Sequence, residues 1–398
     1  MLDIILGSIV AISILFWIVY SIMVVIYLNI LSTRYLIPIK RDDLIKGSLK
    51  KHTDLIEEYK YTDTLNVLVL SGGGVRGLVP LHILTYIENR TGKKVGELFD
   101  FIAGSSTGAI TAAGFCAGDE YGNFKFSSKD ILELYEENSE KIFSSPWYHQ
   151  LLTCFGLFAP RFLPDNKLAV LEYYSGDTTI GELKGNLMIP VYNMDKNKLQ
   201  IVKNWKTPTE KGQNNFLTKD LVNGASSPPM LFPPVAFSIK GENYLFTDPA
   251  ILINNPVLHV LLHIRMIFPE KKLNIISISN GGAAGHSKYN YRHMFSFGLY
   301  GLYQYLFNSP MLNSQLYIDF MEEIQQFAEE QLDFYRIQSI PDNELSPTSL
   351  TKTNFDNIRK FADKMLQENY QLINHLSDQL LHHKFTIRRR DVQHKESQ

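Results

Sequence analysis

Two cysteines in 398 residues, Cys116 and Cys154, leave no disulfide framework, and neither stands in a CxxC or zinc-type spacing. That argues against a disulfide-stapled secreted domain and fits a reducing compartment. No excess of charge is present either: 39 Lys and Arg oppose 41 Asp and Glu, so no basic field points to a nucleic-acid partner. The chain has no internal repeat and no disordered bias, and its 45% hydrophobic and 20% charged content is that of a globular protein. His259 and His263 have metal-ligand spacing on a predicted helix, but the glutamate of HExxH is missing. No metal or cofactor is called for.

The most telling absence is local. Between Asp3 and Arg34 there is no charged residue. Ile4–Leu31 gives 28 uncharged residues, as a helix about 42 Å against a hydrocarbon core of about 30 Å. The run is too long for a cleaved signal's apolar region and lacks a basic start. A buried core helix is the alternative. Arg34, Lys40, Arg41, Lys46, Lys50 and Lys51 follow it, so the positive-inside rule puts the bulk of the protein on the cytoplasmic side of a single-pass anchor.

The length allows two or three domains, or one α/β domain with additions. The expected division is an anchor at 1–31, a juxtamembrane linker at 32–64, a catalytic domain at 65–335 and a C-terminal helical extension with its tail at 336–398. Strands are predicted at Asn66–Leu70, Phe99–Ala103, Leu187–Asn193, Leu199–Asn204, Tyr244–Thr247 and Leu273–Ser279. Helices are predicted at about Val79–Thr91, Gly108–Ala117, Lys129–Phe143, Asp220–Ser227, His293–Leu306, Leu312–Leu332 and Phe355–His382. Ser144–Leu163 is dense in aromatics (Trp147, Tyr148, Phe155, Phe158, Phe162) and reads either as a lid or acyl-chain entrance or as a loop packed on the core. The aromatic run Tyr289–Phe307 reads either as an interfacial belt or as core.

Two glycine strings carry the chemistry. Gly72-Gly73-Gly74-Val75-Arg76-Gly77 follows the first strand, and Gly104-Ser105-Ser106-Thr107-Gly108 follows the second. Gly-x-Ser-x-Gly forces a serine onto a tight strand-to-helix turn, where its oxygen faces substrate and the next helix contributes free N–H groups. The register selects Ser106, because Ser105 would need glycine at 103, which is alanine. Gly72-x-Gly74-x-x-Gly77 also satisfies a dinucleotide fingerprint, with Glu97 and Asp100 roughly 20 residues on. The serine turn after the next strand argues instead for acyl transfer, with the glycine loop supplying oxyanion donors.

A serine needs a base. No histidine is marked by its surroundings; His82, His149, His286 and His293 default to structural roles. Asp248, ending the strand before Pro249, is the better candidate.

Together these segments resemble the patatin-like phospholipase family. SGGGVRGLVPLHILTYIE is similar to its oxyanion loop and first helix, and FDFIAGSSTGAI to its nucleophile elbow. YYSGDTTIGEL, IPVYNMD, LVNGASSPPMLFPPV, FTDPAILINNP and IISISNGG follow in the family's order, over about residues 65–335. The resemblance implies a three-layer α/β/α sandwich with a mostly parallel central sheet. It also implies a Ser–Asp dyad of Ser106 (nucleophile) and Asp248 (base), an oxyanion hole at Gly72, Gly73, Gly74 and Arg76, and an elbow framed by Gly104 and Gly108. One departure stands out: the family's base motif reads Asp-Gly-Gly or Asp-Gly-Ala, whereas Pro249 here fixes φ and removes an N–H. If that turn needs a positive φ or that donor, Asp248 is displaced.

The implied function is membrane-anchored hydrolysis of phospholipid or acylglycerol esters through an acyl-enzyme. The rivals are a Ser-His-Asp esterase using a later histidine such as His286, and an inactive membrane-anchored lipid-binding protein.

Overall fold

The charge-free run folds as one helix, α1 (Leu2–Tyr35). From Val10 to Tyr35 it is long and apolar enough to cross a membrane, and it is almost entirely uncovered by the rest of the protein. The computed structural model describes residues 2–207, 214–281, 315–343 and 345–382. The helix expected at 293–306, the aromatic run Tyr289–Phe307 and His286 lie outside them.

The segment after α1 is docked. β1 (Ile39–Lys40) adds to a sheet edge with Ile39 opposite Phe237. Arg41 grips the buried carboxylate of Asp220 through Nε and Nη2 at 2.7 and 2.9 Å. α2 (His52–Glu58) buries Leu55.

The body follows as β2 (Thr64–Leu70), α3 (Leu78–Thr91), α4 (Val95–Leu98), β3 (Phe101–Gly104), α5 (Thr107–Cys116), α6 (Ser128–Ile142), α7 (Trp147–Leu152) and α8 (Asp165–Ser175). Then come β4 (Asn186–Asn193), β5 (Lys198–Lys203), α9 (Thr218–Ala225), β6 (Val235–Ile239), β7 (Glu242–Thr247), α10 (Val257–Arg265) and β8 (Lys272–Ile278). The described chain closes with α11 (Gln315–Ala328), β9 (Leu332–Ile337), α12 (Lys352–Glu368) and a further helix at 370–382.

The sheet order is β1-β6-β7-β4-β3-β2-β8-β9, with β5 paired to β4. β4, β3, β2, β8 and β9 are mutually parallel, and β5, β6 and β7 supply the antiparallel pairs. β2 is buried on both faces, as a central parallel strand must be. Its Leu65, Val67 and Val69 enter one apolar cluster with α10 and α11, and its Leu68 and Leu70 enter the other with α3, α5, α6 and α12. This is the expected three-layer α/β sandwich with a mostly parallel sheet.

Two differences from the sequence reading concern the C-terminal part. The helix expected to reach Leu332 ends at Ala328, and β9 follows. Its sequence LDFYRI alternates, but neither Gly nor Pro marks the change of period. The expected boundary at 335/336 falls inside this strand, and Ile358, Phe361, Met365, Ile373, Leu376 and Leu380 beyond it are buried in the larger core cluster.

Candidate active site

β2 and β3 are parallel neighbours, with Leu70 opposite Gly104. The glycine loop and the serine turn therefore leave the sheet side by side at its carboxyl edge, where open α/β sheets bind ligands. Ser106 has φ 54° and ψ −124°, a conformation that L residues seldom adopt and that turns its side chain away from α5. The turn is too tight for side chains at its ends: a Cβ on Gly108 would lie 2.7 Å from the Leu70 carbonyl oxygen, and one on Gly104 would overlap the Gly108 backbone.

Ser106 Oγ donates to Asp248 Oδ2 at 2.5 Å, and both residues are buried. Asp248 ends β7, next to β4 in the sheet, and its N–H donates to Ser227 O at 3.0 Å. Pro249 fits the turn. It opens a single 3₁₀ turn, Pro249–Ile251, with Asp248 as its cap at φ −60°, and a proline tolerates that first position because its missing N–H has no partner to lose. The donor to the second carboxylate oxygen is the next amide, Ala250 N–H to Asp248 Oδ1 at 2.8 Å. The displacement that the proline threatened does not occur.

Burial pushes the Asp248 carboxyl up to about 7, against the lowering effects of the Ser106 hydroxyl, the Ala250 amide and Lys167. Lys167, on α8, is fully enclosed, and burial brings it down to about 7. Its ammonium donates to Ser227 Oγ at 2.7 Å, Ser226 O at 2.8 Å and Asn223 O at 3.1 Å, and lies 4.2 Å from the Phe232 ring centre. The lysine thus supports the same serine whose carbonyl holds the Asp248 amide.

The glycine loop wraps over Ser106. A Cβ on Gly72 would lie 2.7 Å from Ser106 Cβ. Gly72 N–H already donates to Asn254 O at 3.1 Å and Gly73 N–H to Thr107 Oγ1 at 3.2 Å. Gly74, at φ +59°, has no hydrogen-bond partner for its N–H among the described residues, which leaves it the open donor of the three. Arg76 folds back, its Nε donating to Gly73 O at 3.2 Å. Behind the loop, Asn280 Nδ2 donates to Gly72 O, and Val75 N–H donates to Pro347 O at 2.9 Å. The half-buried Arg336 reaches Ser277 Oγ at 2.7 Å and Ser71 Oγ at 3.3 Å.

The residues singled out in the sequence therefore converge, while Lys167, Asn280 and Arg336 joined them only through folding. Asn280 sits in the noted IISISNGG string; no local signal marks Lys167 or Arg336. The two acidic residues of the dinucleotide fingerprint are engaged by backbone: Asp100 Oδ2 accepts Asn66 N–H and Glu97 accepts Lys94 N–H. Among the described residues no histidine hydrogen-bonds Ser106 or Asp248. A hydroxyl held on a carboxylate beside a helix N-terminus is a constellation for nucleophilic attack on an acyl carbon.

The fold is an α/β sandwich with a strained serine at the carboxyl edge of its sheet. The Patatin-like phospholipase family description matches residues 68–261, the segment that carries both Ser106 and Asp248. Patatin-like protein 3 of Arabidopsis thaliana is 27% identical over 277 residues, covering 60% of this chain and 64% of that one. A cGAMP-activated phospholipase of Pseudomonas aeruginosa is 26% identical over 215 residues, covering 54% and 61%. The chain thus spans under two thirds of the length of either relative. Among solved structures, human GIVD cytosolic phospholipase A2 aligns over 81% of this chain and 60% of that one, at 11% identity and a TM-score of 0.43.

Proposed function

We propose that this protein is a membrane-anchored serine lipid acyl hydrolase, of phospholipase A or acylglycerol lipase type, that works through a Ser106–Asp248 dyad. The observation that carries the reading is the 2.5 Å hydrogen bond from the strained Ser106 to a buried carboxylate, the same two positions that match the family's motifs. Asp248 takes the hydroxyl proton as Ser106 Oγ attacks the ester carbonyl. The tetrahedral oxyanion forms against the Gly74 amide and the start of α5, where free N–H groups and the helix dipole favour negative charge. The protonated Asp248 gives its proton to the departing alcohol. It then accepts one from the water that attacks the acyl-enzyme and returns it to Ser106 Oγ as the fatty acid leaves. A base with a pKa near 7 is well matched to this exchange at neutral pH.

Anchoring is part of the proposal. The apolar and largely uncovered α1, with basic residues after it, fits a single span with the catalytic body on the cytoplasmic side. That position would hold the site against its lipid substrate. The test is purified wild type against Ser106→Ala on a mixed-lipid panel, reading released fatty acid by mass spectrometry. The substitution is expected to remove at least about 10²–10³ of the rate, the loss typical of a single oxyanion donor. Labelling by a fluorophosphonate probe should disappear with it. Release at the wild-type rate by Ser106→Ala would refute the assignment, and folded wild type that never labels would favour an inactive lipid-binding protein.

A further inference from the structure

Between Lys141 and Arg161 the chain carries no Asp, Glu, Lys or Arg. Its middle forms α7 and a tight reversal with positive φ at Cys154, Phe155 and Gly156. This hairpin turns its large apolar side chains outward: Trp147 is 76% exposed and Phe155 73%, with Tyr148, Leu151, Leu157 and Phe158 also exposed. A soluble surface seldom gathers so many.

The hairpin lies along α1. Tyr20 Oη donates to Leu151 O at 2.9 Å and meets Cys154 Sγ at 3.2 Å. Tyr27 Oη pairs with His149 Nδ1 at 2.8 Å, and Arg34 pairs with Asp165 at 2.8 Å. Tyr20, Tyr27 and Arg34 recur every seven residues on one stripe of the helix, which places them about 10 Å apart along its axis. The tip at Leu151–Cys154 is therefore about 21 Å from the charged pair at Arg34. Half of a hydrocarbon core is about 15 Å, with the headgroup layer beyond it.

Hydrocarbon also demands that backbone groups be satisfied internally. The amides of His149, Gln150 and every residue from Thr153 to Phe158 donate to carbonyls of the same segment. Thr153 Oγ1 donates to His149 O, and His149 Nε2 pairs with Pro160 O at 2.9 Å. His149 and Thr153 are buried while the large apolar side chains of 147–158 face outward, the inverse of a water-facing loop.

We propose that residues 144–163 are a second membrane-inserted element, a hairpin that lies against α1 within the leaflet next to the catalytic body and meets lipid acyl chains directly. It carries the site mouth with it. Arg161 and Phe162 donate their amides to Met230 O and Leu231 O at 2.9 and 2.8 Å, on the loop whose Ser227 holds Asp248. The lipid surface would thus begin beside the dyad. This rests on α1 spanning the bilayer.

The experiment uses the full chain with Cys154→Ser, leaving only the fully buried Cys116, reconstituted in phosphatidylcholine vesicles. An environment-sensitive fluorophore is attached in turn at Phe155→Cys in the hairpin, Ile14→Cys in α1 and Tyr121→Cys on the exposed body. Emission at 155 should be blue-shifted and quenched by acyl-chain-brominated lipid, as at 14, whereas 121 should answer only to aqueous iodide. Iodide quenching at 155 with lipid quenching at 14 would overturn the hairpin and leave the anchor standing. Loss of lipid quenching at 14 would overturn the anchor itself. A blue shift at 155 without lipid quenching would mean that protein, such as a second copy of this chain, covers the hairpin, and would also overturn it. As a functional arm, Phe155→Asp with Leu157→Asp should lower hydrolysis of vesicle phospholipid about tenfold or more, as carboxylates resist entering hydrocarbon, while sparing a soluble short-chain ester. Equal losses on both substrates would count against insertion.

Discussion

Replacing Asp248 by Asn should make the protein more stable and nearly inactive. The carboxyl is completely buried, and burial raises its pKa from the usual 3.8 to about 7. A carboxylate whose folded pKa is raised costs nothing below the unfolded value, where it is protonated in both states. The cost grows as pH climbs from about 4 to about 7, where the unfolded chain releases the proton and the folded one still holds it, and is constant above. At pH 8 the full rise corresponds to about 4 kcal/mol, and at pH 5 to about 2 kcal/mol. Asn keeps the side-chain shape and can still meet Ser106 and the Ala250 amide, but carries no charge. Asp248→Asn is therefore expected to raise the melting temperature of the detergent-solubilised full chain by several degrees at pH 8, with a smaller gain at pH 5. Its hydrolytic rate should fall by on the order of 10²–10⁴, the usual worth of a positioned general base. A variant less stable than wild type at pH 8, or a gain that does not shrink toward pH 5, would refute the reasoning. A folded variant with undiminished activity would remove Asp248 from the mechanism.

Three other outcomes follow from the same geometry. Lys167 lowers the Asp248 pKa, so Lys167→Met should move the acid limb of kcat/KM to higher pH and Lys167→Arg should restore part of the shift; a limb that stays in place would show that the lysine only supports the fold. Pro249→Gly should keep activity within a few fold, since the donor to Asp248 is Ala250 N–H, and should cost about 0.4–1 kcal/mol of stability through added freedom of the unfolded chain; a large gain in rate would mean that the proline strains the base after all. Activity on a soluble ester should rise with pH through about 7 as Asp248 ionises; a rate independent of pH from 5 to 8 would contradict a carboxylate base.

Much of this was legible in the chain. The apolar runs before each glycine string placed β2 and β3 and their turns within a few residues, because a buried parallel strand and a tight glycine turn leave strong local marks. β9 left no such mark. It follows α11 without a breaker, and its strand character comes from pairing with β8, with Leu273 opposite Leu332. α8 went unread for the same reason, since it packs on α6 and α9; β6 is a local miss, a strand that pairs with β7 across the Lys240-Gly241 turn.

What the sequence determined by itself was the set of parts: a serine on an elbow, a glycine loop near it, a following aspartate and a charge-free span ahead of them. Tertiary structure alone decided whether those parts meet. It brought Ser106 to Asp248 across 142 residues and seated Pro249 at the first position of the turn that Asp248 caps. It also set Lys167 behind the base and laid the Trp147–Phe158 hairpin along α1. The physical reason is that a strained φ or a tight turn is encoded by the residues that adopt it. A shifted pKa or a satisfied backbone is a property of what folding packs around a group, and no stretch of sequence contains its own surroundings.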